Sequence, residues 1–431
     1  MSTLLYHATA LLMDKEGSVL ENAYVAVEGP SITYVGLERP QGNFQEEIDC
    51  NGNYLMPGLV NAHTHLPMTL LRGYGGGCDL QTWLNQYIFP AEAKLDARAI
   101  RAGAGLALAE LIAGGTTCVA DMYYFCQEIT EEVAAAGISA NIARGVTVFD
   151  PDFNFQSNAP CRELRDLADA WHGYGEGQIL VDACLHGEYT SHPAVWQAVA
   201  AYAKERGLGM HVHLSETRTE HEECIQRHGK TPAQAFLEAG VWDVRAIAAH
   251  CVWTTPEDWA ILAEHGVTAV HNPASNLKLG SGIANIPAMR QAGVPIALGT
   301  DGVSSNNSHD MFEEIKLAAI LHNGAGCDPL AILPLDALAM ATREGGAALG
   351  RKTGVIAPGY AADLIVLDAN HPNLVPCHSL PDNLAYSAHG SDVVMNMARG
   401  KVIYKEGEYL TLDRERILFE VKNYALPRLF A

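Results

Sequence analysis

Two pairs of histidines in this sequence have the spacing of metal ligands on β-strands. His63 and His65 in LVNAHTH, and His211 and His213 in GMHVHLSE, are each two residues apart at the end of an apolar run. Because side chains two residues apart lie on the same face of a strand, each pair presents two imidazoles in one direction. A single pair of this kind is more often two ordinary histidines than half of a zinc site, so the pairs need support from other residues.

That support comes from the ends of other apolar runs. Glu216 closes the second histidine run, His250 ends the run AIAAH, and Asp301 follows PIALGT. Buried polar groups without partners cost several kcal/mol, so four strand ends carrying imidazole or carboxylate are hard to explain as structural accidents. Together these residues predict a metal centre with groups for proton transfer beside it.

The elements that must carry these side chains are visible as an alternation along the chain. Apolar strand-like runs alternate with amphipathic segments of helix length, which is typical of a parallel sheet. Eight such runs occur, namely LMPGLVNAHTH, GTTCVAD, ISANIARGV, ILVDACLHG, GMHVHLSE, AIAAHC, TAVHNPASN and PIALGTD. Eight βα units predict a closed barrel with its active site at the C-terminal ends of the strands.

The two ends of the chain have a different pattern from this central block. Short alternating strands separated by turn residues occur before Pro57 and again between about residues 354 and 409. The predicted fold is therefore α/β, a (β/α)₈ TIM-like barrel in residues 58–353. A small β-sandwich domain is expected from residues 1–57 together with 354–431.

Composition narrows the classes of partner. The 431 residues are 48% hydrophobic, which is enough for a large core, and 28 Lys plus Arg against 50 Asp plus Glu give a net charge of −22. The negative electrostatic field of a protein with this charge repels phosphate backbones and anionic lipid, so neither nucleic acid nor membrane is expected as a partner. The ten cysteines form no CxxC pair, and the chain has neither a basic leader nor 18 consecutive apolar residues. We expect a soluble cytoplasmic protein, with a homo-oligomer as one alternative.

Several longer motifs resemble those of one known family. PGLVNAHTH, HLSE, AHC, HNPASNLKLGSG, LGTDG and GYAADLIVLD are similar to segments of the amidohydrolase superfamily, in its aromatic-amine deaminase and chlorohydrolase branch, and they occur in the family's order over nearly the whole chain. The resemblance implies the same barrel with its terminal β domain. It also implies that the metal ligands are His63, His65, His213 and Asp301. His250 is expected close to the metal or to its water.

The resemblance also bears on the number and kind of metal ions. Binuclear relatives bridge two ions with a lysine from the fourth strand, and the run ILVDACLHG contains none, so one divalent ion is expected. Nitrogen and oxygen ligands without thiolate suit Zn²⁺, and Fe²⁺ and Mn²⁺ accept the same set.

Hydrolytic removal of an amino group from a heteroaromatic carbon explains why such residues would be needed together. A bound divalent cation supplies a nucleophile at neutral pH by lowering the pKa of water to about 7. Glu216 matches the family acid that protonates the ring nitrogen. Asp301 matches the base that takes the proton of water, and His250 matches a residue that orients the water. The alternative for Glu216 is a first-turn acid of the next helix, since SETRTEHEE has that composition.

The segment after the first barrel strand, LRGYGGGCDLQTWLNQYIFPAEAKL, is expected to cover the barrel mouth and determine specificity. It resembles a subfamily that deaminates 5′-methylthioadenosine and S-adenosylhomocysteine, in which a glutamate at the position of Glu92 binds the ribose hydroxyls. His186, Arg144 and Arg162 fit further substrate contacts of that subfamily. The implied reaction is hydrolysis of an adenine-type nucleoside, adenosine included, to its inosine analogue and ammonia. The stretch GGGCDLQTW departs from the subfamily pattern.

Other enzymes of the same branch remain alternatives. They deaminate guanine, 8-oxoguanine, a pterin or another heteroaromatic amine, or dechlorinate triazines. Glu92 argues against a base without a sugar, and Glu216 argues against dechlorination, because some dechlorinating relatives lose this acid. A non-catalytic barrel that serves as a scaffold is disfavoured, since such relatives commonly lose metal ligands and this chain keeps them all. A cytidine-deaminase type of site needs H-x-E together with P-C-x-x-C, and the sequence contains no P-C-x-x-C.

Overall fold

The computed structural model describes residues 2–78 and 80–430, and their strands form two separate sheets. The strands are β1 (Ser2–Leu11), β2 (Val19–Glu28), β3 (Ser31–Gly36), β4 (Glu46–Asp49), β5 (Tyr54–Pro57), β6 (Leu59–Thr64), β7 (Thr116–Tyr123), β8 (Ser139–Arg144), β9 (Ile179–Leu185), β10 (Gly209–Leu214), β11 (Ala246–His250), β12 (Thr268–His271), β13 (Ile296–Leu298), β14 (Leu364–Leu367), β15 (Val393–Ala398), β16 (Lys401–Lys405) and β17 (Glu408–Tyr409).

Fifteen helices of the described residues lie between or after the barrel strands, and three lie in the C-terminal segment. They are α1 (Leu80–Trp83), α2 (Phe89–Glu92), α3 (Ala97–Ala113), α4 (Cys126–Ala136), α5 (Ala159–Trp171), α6 (Tyr174–Gly177), α7 (Pro193–Arg206), α8 (Arg218–His228), α9 (Pro232–Glu238), α10 (Pro256–Glu264), α11 (Pro273–Lys278), α12 (Ile286–Gln291), α13 (Met311–Gly326), α14 (Pro334–Met340), α15 (Arg343–Ala348), α16 (Leu380–Tyr386), α17 (Arg414–Glu420) and α18 (Leu426–Phe430). Within residues 2–78 and 80–430, none of these helices is both long and apolar enough to cross a bilayer.

Strands β6 to β13 form a nearly closed parallel barrel, and each of them corresponds to one of the eight predicted runs. Each strand pairs with the next along the chain, so the order in space follows the order in sequence. The first and last strands meet where the backbone N–H of Asp301 donates to the carbonyl of His63 at 3.0 Å. The predicted barrel is therefore confirmed, and its closure brings Asp301 beside the first histidine pair.

The remaining nine strands form one mixed sheet from both ends of the chain. β14 pairs antiparallel with β5, which joins the two terminal segments. The apolar core of this sheet is separate from the barrel and includes Leu5, Val25, Leu55, Leu364 and Met395. The predicted β domain built from both termini is confirmed, while the division of the chain at 57/58 and 353/354 stays a prediction.

The segment after β6 forms one wall of the barrel mouth. A 3₁₀ helix at Leu66–Leu71 is followed by α1, a π-helical turn at Leu84–Ile88 and α2. Trp83 and Ile88 are buried, because the large apolar side chains of this segment pack against the core rather than facing solvent. This packing holds Glu92, the last residue of α2, over the ends of the barrel strands.

Candidate active site

A cavity at the C-terminal ends of the barrel strands contains most of the predicted site residues. Strands β6, β9, β10, β11 and β13 each deliver one or more side chains to it, as the parallel barrel requires. The predicted residues that line the cavity are His65, Glu92, His186, His213, Glu216, His250 and Asp301. His63 is fully buried next to them.

The four predicted metal ligands converge at the base of this cavity. One ring nitrogen of each of His63, His65 and His213 lies within 4.8 Å of the others, and the same holds for His63, His250 and an oxygen of Asp301. Asp301 Oδ1 lies 3.4 Å from His63 Nε2 and 3.2 Å from His65 Nε2. Three imidazoles and a carboxylate this close together are a donor set for one divalent ion.

Hydrogen bonds to the backbone fix which nitrogen of two imidazoles is available. His65 Nδ1 lies 2.5 Å from the carbonyl oxygen of Met122, and His213 Nδ1 lies 2.6 Å from that of His186. A carbonyl oxygen only accepts, so Nδ1 carries the proton and donates in both rings. The Nε2 lone pairs are left facing the cavity, which is the arrangement that oriented metal ligands require.

His63 has the same orientation with a different partner. Its Nδ1 lies 2.8 Å from Nε2 of His211, the first histidine of the HVH pair. Its Nε2 is buried and has no hydrogen-bond partner. A buried nitrogen without a partner is costly, and coordination of a cation would remove that cost, so the residues present fit a bound metal ion.

Asp301 is held by three hydrogen bonds besides its contacts with histidine. Its Oδ2 accepts from the hydroxyls of Ser275 at 2.6 Å and Ser305 at 2.9 Å, and its Oδ1 accepts from the N–H of Gly302 at 2.8 Å. Burial alone would raise the pKa of Asp301, but the neighbouring His63 and His65 hold that pKa well below its usual value. The carboxylate is therefore ionised and fixed in orientation before any ligand arrives.

We expect Ser275→Ala to weaken metal binding by about 10- to 100-fold, because partners that orient a metal-ligating carboxylate typically contribute that much. The matched control is Ser304→Ala, since among the described residues the Ser304 hydroxyl has a single hydrogen-bond partner, Met68 Sδ, at 3.4 Å. Zinc affinity measured by competition with a chromogenic chelator would test this. Equal affinities for the two variants would contradict the role of Ser275.

Glu216 faces the cavity rather than the helix that follows it. It lies between Ser215, whose φ of 47° is left-handed, and Thr217, the N-cap of α8. Its Oε2 lies 3.8 Å from His250 Nε2, and its Oε1 lies 3.4 Å from the hydroxyl of Ser281. Burial raises the pKa of Glu216, although the neighbouring His250 opposes the shift. A buried carboxyl with a raised pKa beside a candidate metal site can carry a proton to a substrate.

His250 is oriented in the same way as the other imidazoles. Its Nδ1 lies 2.8 Å from Oδ1 of Asn276, and its Nε2 is directed towards Glu216. The residue has a φ of 75°, and such strained backbone is most often found at functional sites. The structure thus places His250 between the candidate ligands and the candidate proton donor.

Glu92 reaches the cavity from α2. Its carboxylate accepts a hydrogen bond from the hydroxyl of Tyr123, at the end of β7. Burial raises the pKa of Glu92 to about 7, against the opposing effects of Tyr123 and His65. The covering segment therefore contributes a carboxyl group to the same cavity as the candidate metal ligands.

The other predicted substrate contacts divide into two groups. His186 follows β9 and lines the cavity. Arg144 instead lines a neighbouring groove, where its Nε lies 2.6 Å from Oε2 of Glu163. Arg162 is exposed on α5. The structure therefore brings His186 into the site and leaves the two arginines outside it.

Sequence reasoning missed Tyr123 and Ser281, both of which line or contact the site. The predicted second strand ended at Asp121, and strand periodicity of two would have put Tyr123 on the same face. Ser281 lies in the motif HNPASNLKLGSG, but the sequence contains no signal that this serine meets Glu216, 65 residues away.

Known proteins resemble this chain over nearly its whole length. Residues 54–403 match the amidohydrolase family. The chain is 39% identical over 428 residues to a 5-methylthioadenosine/S-adenosylhomocysteine deaminase of Thermoanaerobacter pseudethanolicus, covering 99% of each chain. It is 37% identical over 422 residues to a 5′-deoxyadenosine deaminase of Methanosarcina mazei, covering 98% of this chain and 97% of the relative. A zinc-bound adenosine deaminase of Xanthomonas campestris has a similar structure, with a TM-score of 0.94, 31% identity, and coverage of 99% and 98%.

Proposed function

Because this chain belongs to the amidohydrolase family, we propose that it is a metal-dependent aminohydrolase that converts an adenine-type nucleoside to its inosine analogue and ammonia. The candidate substrates are adenosine, 5′-deoxyadenosine, 5′-methylthioadenosine and S-adenosylhomocysteine. The observation that carries the proposal is the position of Glu92, a carboxyl group on the covering segment that faces the same cavity as Glu216 and the candidate metal ligands. The names of the two relatives described above support the same substrate class.

The proposed cofactor is one Zn²⁺ ion held by His63, His65, His213 and Asp301, and Fe²⁺ or Mn²⁺ would be accepted by the same donors. The zinc bound to the Xanthomonas enzyme supports this choice of element. A cation in this position supplies a nucleophile at neutral pH by lowering the pKa of water to about 7.

The side chains of this protein then have separate tasks in proton transfer. Glu216 donates its proton to the ring nitrogen beside the amino-bearing carbon as that carbon becomes tetrahedral. Asp301 accepts a proton from the attacking water and returns it to the departing amino group, so that ammonia leaves neutral. The proton of the new hydroxyl group passes to Glu216 as the carbonyl forms, which restores the acid. His250, fixed by Asn276, orients the attacking water between the two acids.

The 5′ end of the substrate lies towards a boundary that the cavity shares with the neighbouring groove, formed by Phe89, Glu92 and Tyr124. The one cation that lines this groove within the described part of the chain, Arg144, is paired with Glu163. This pairing favours neutral 5′ substituents such as hydroxyl, hydrogen or methylthio over the homocysteine carboxylate. The substrate contacts predicted for Arg144 and Arg162 stay predictions.

We expect Glu92→Gln to raise KM for adenosine about 10- to 100-fold, because a carboxylate can accept hydrogen bonds from both vicinal ribose hydroxyls and an amide has only one oxygen. Steady-state kinetics of 2′,3′-dideoxyadenosine provide the control, since this analogue lacks both hydroxyls. The native enzyme and the variant should have equal kcat/KM for the analogue. A variant with an unchanged KM for adenosine would remove Glu92 from ribose recognition.

An ammonia-release panel tests the proposed function as a whole. The zinc-loaded enzyme is assayed with the four nucleosides and with guanine, 8-oxoguanine, cytosine, isoxanthopterin and atrazine, and chloride release is measured in place of ammonia for atrazine. The proposal expects release from the nucleosides, with methylthioadenosine preferred over S-adenosylhomocysteine. Activity confined to the other five compounds would replace the nucleoside assignment by one of the alternative deaminases or the chlorohydrolase.

We place this reaction in the cytoplasm, where a small nucleoside would be the partner. All ten cysteines are free thiols, seven of them buried, which suits a reducing compartment.

A further inference from the structure

Three helices near the site begin with the same local sequence, a threonine N-cap followed three residues later by a side chain with a carbonyl or carboxylate oxygen. The pairs are Thr231 with Gln234 in α9, Thr255 with Asp258 in α10, and Thr217 with Glu220 in α8. In a capping box, the later side chain accepts the backbone N–H of the N-cap residue itself. Gln234 and Asp258 do this, at 3.1 Å and 2.8 Å.

Glu220 departs from this arrangement. Its Oε1 accepts the backbone N–H of Ser215 and its Oε2 accepts that of Glu216, each at 2.8 Å. These are the two residues before the N-cap. The Thr217 hydroxyl still accepts the N–H of Glu220 at 3.2 Å, so the helix start is capped without the carboxylate. Both carboxylate oxygens of Glu220 therefore accept hydrogen bonds from the loop that carries Glu216.

The loop formed by Ser215 and Glu216 needs stabilising contacts because part of its backbone is strained. Ser215 has a φ of 47°, which costs free energy for a residue with a side chain. The Ser215 carbonyl accepts the N–H of Trp253 at 2.9 Å, which ties one side of the loop to the neighbouring strand end. Glu220 ties the other side through two buried N–H groups and is itself only 5% exposed. Without Glu220, both donors would lose their partner inside the protein.

We propose that Glu220 is a positioning residue that fixes the backbone of Ser215 and Glu216 so that the Glu216 carboxyl meets the ring nitrogen of the substrate. Glu220 does not line the cavity and acts only through Glu216. The inference rests on the proposed function, because it assumes that Glu216 is the proton donor. A catalytic group displaced by about 1 Å can lose about 100-fold in rate.

The experiment is a double-mutant cycle with Glu216→Gln, Glu220→Gln and the combined variant, all loaded with zinc. Asp258→Asn is the matched control, since it makes the same carboxylate-to-amide change at the same position of a helix, in a side chain that is 0% exposed. Asp258 accepts hydrogen bonds from the N–H of Thr255 and from the hydroxyl of Thr231, the N-cap of α9, and neither of these partners belongs to the loop that carries Glu216. An amide has one acceptor oxygen, so Glu220→Gln leaves one loop N–H without a partner. We expect it to lower kcat about 10- to 100-fold with KM and zinc content within about twofold of native, whereas Asp258→Asn keeps kcat within about twofold.

The combined variant separates positioning from a loss of folded protein. If Glu220 acts through Glu216, the combined variant is no slower than Glu216→Gln alone, whereas a general structural defect lowers kcat by the same factor in both backgrounds. Equal factors, or a Glu220→Gln variant with native kcat, would overturn the inference. If circular dichroism shows Glu220→Gln to be unfolded, Glu220→Asp, whose shorter carboxylate cannot reach both N–H groups, enters the same cycle. Native turnover by Glu216→Gln would instead overturn the proposed proton donor itself.

Discussion

Glu216→Gln lowers kcat for adenosine or methylthioadenosine about 1,000-fold while the protein stays folded and keeps its metal, because general acid catalysis typically contributes 100- to 10,000-fold and an amide has no acidic proton to donate. Glutamine has nearly the same shape as glutamate, so the side chain can still contact Ser281 and His250. Three measurements on the same preparation would test this. Ammonia released after fixed times gives kcat, zinc analysis gives the bound metal, and circular dichroism gives the folded fraction.

Glu222→Gln is the control for this change. Glu222 lies on α8, six residues from Glu216, and pairs with Arg218 on the surface at 2.6 Å. A surface pair of this kind contributes little, so kcat should stay within about twofold of native. If Glu216→Gln binds zinc and turns over at the rate of the Glu222 control, the proton comes from another group and Glu216 belongs to the helix start.

His213→Ala is expected to abolish both metal binding and turnover. The three Nε2 atoms and Asp301 form the whole proposed donor set, and the loss of one imidazole leaves a site open to water at the base of the cavity. We expect kcat to fall by more than about 1,000-fold, the size of effect that metal-assisted activation of water supplies. Chelation of native protein should give the same loss.

Adding zinc back distinguishes removal of the metal by a chelator from loss of a metal ligand by mutation. Native protein stripped by a chelator should regain its turnover, and His213→Ala should not. His265→Ala is the matched control, because His265 lies at the C-terminal end of α10, away from the cavity, and should leave zinc stoichiometry unchanged. Full turnover by the stripped native protein would show that the reaction does not need a metal.

The sequence predicted the barrel and the polar groups at its strand ends for a physical reason, while the choice of four of these groups as metal ligands came from the family resemblance. A strand that is buried on both faces shows as an apolar run, and a polar residue at its end stands out against that background. His63, His65, His213 and Asp301 are all of this kind, and closure of the barrel is enough to bring them together. Contacts of this type depend on the fold class rather than on loop conformation.

Contacts made by loops were harder to predict. Arg162 and Glu92 were both predicted to contact the substrate, yet Arg162 is exposed on a helix and Glu92 is held in the cavity by Tyr123. The inward face of α5 is periodic in the sequence, with Cys161, Leu164 and Leu167 buried, and Arg162 lies off that face. The four-residue helix α2 that carries Glu92 is too short to show such a period. The carboxylate of Glu220 is a similar case, since its sequence context predicts only a helix cap.

The central claim is that one divalent ion lies between three imidazoles and one carboxylate at the base of the cavity. Anomalous diffraction at the zinc absorption edge, from crystals of the zinc-loaded protein, tests it most directly. The account predicts a single peak at about 2.0–2.2 Å from Nε2 of His63, His65 and His213 and from an oxygen of Asp301. A map with no peak at that position, or with the ion bound by other residues, would contradict it.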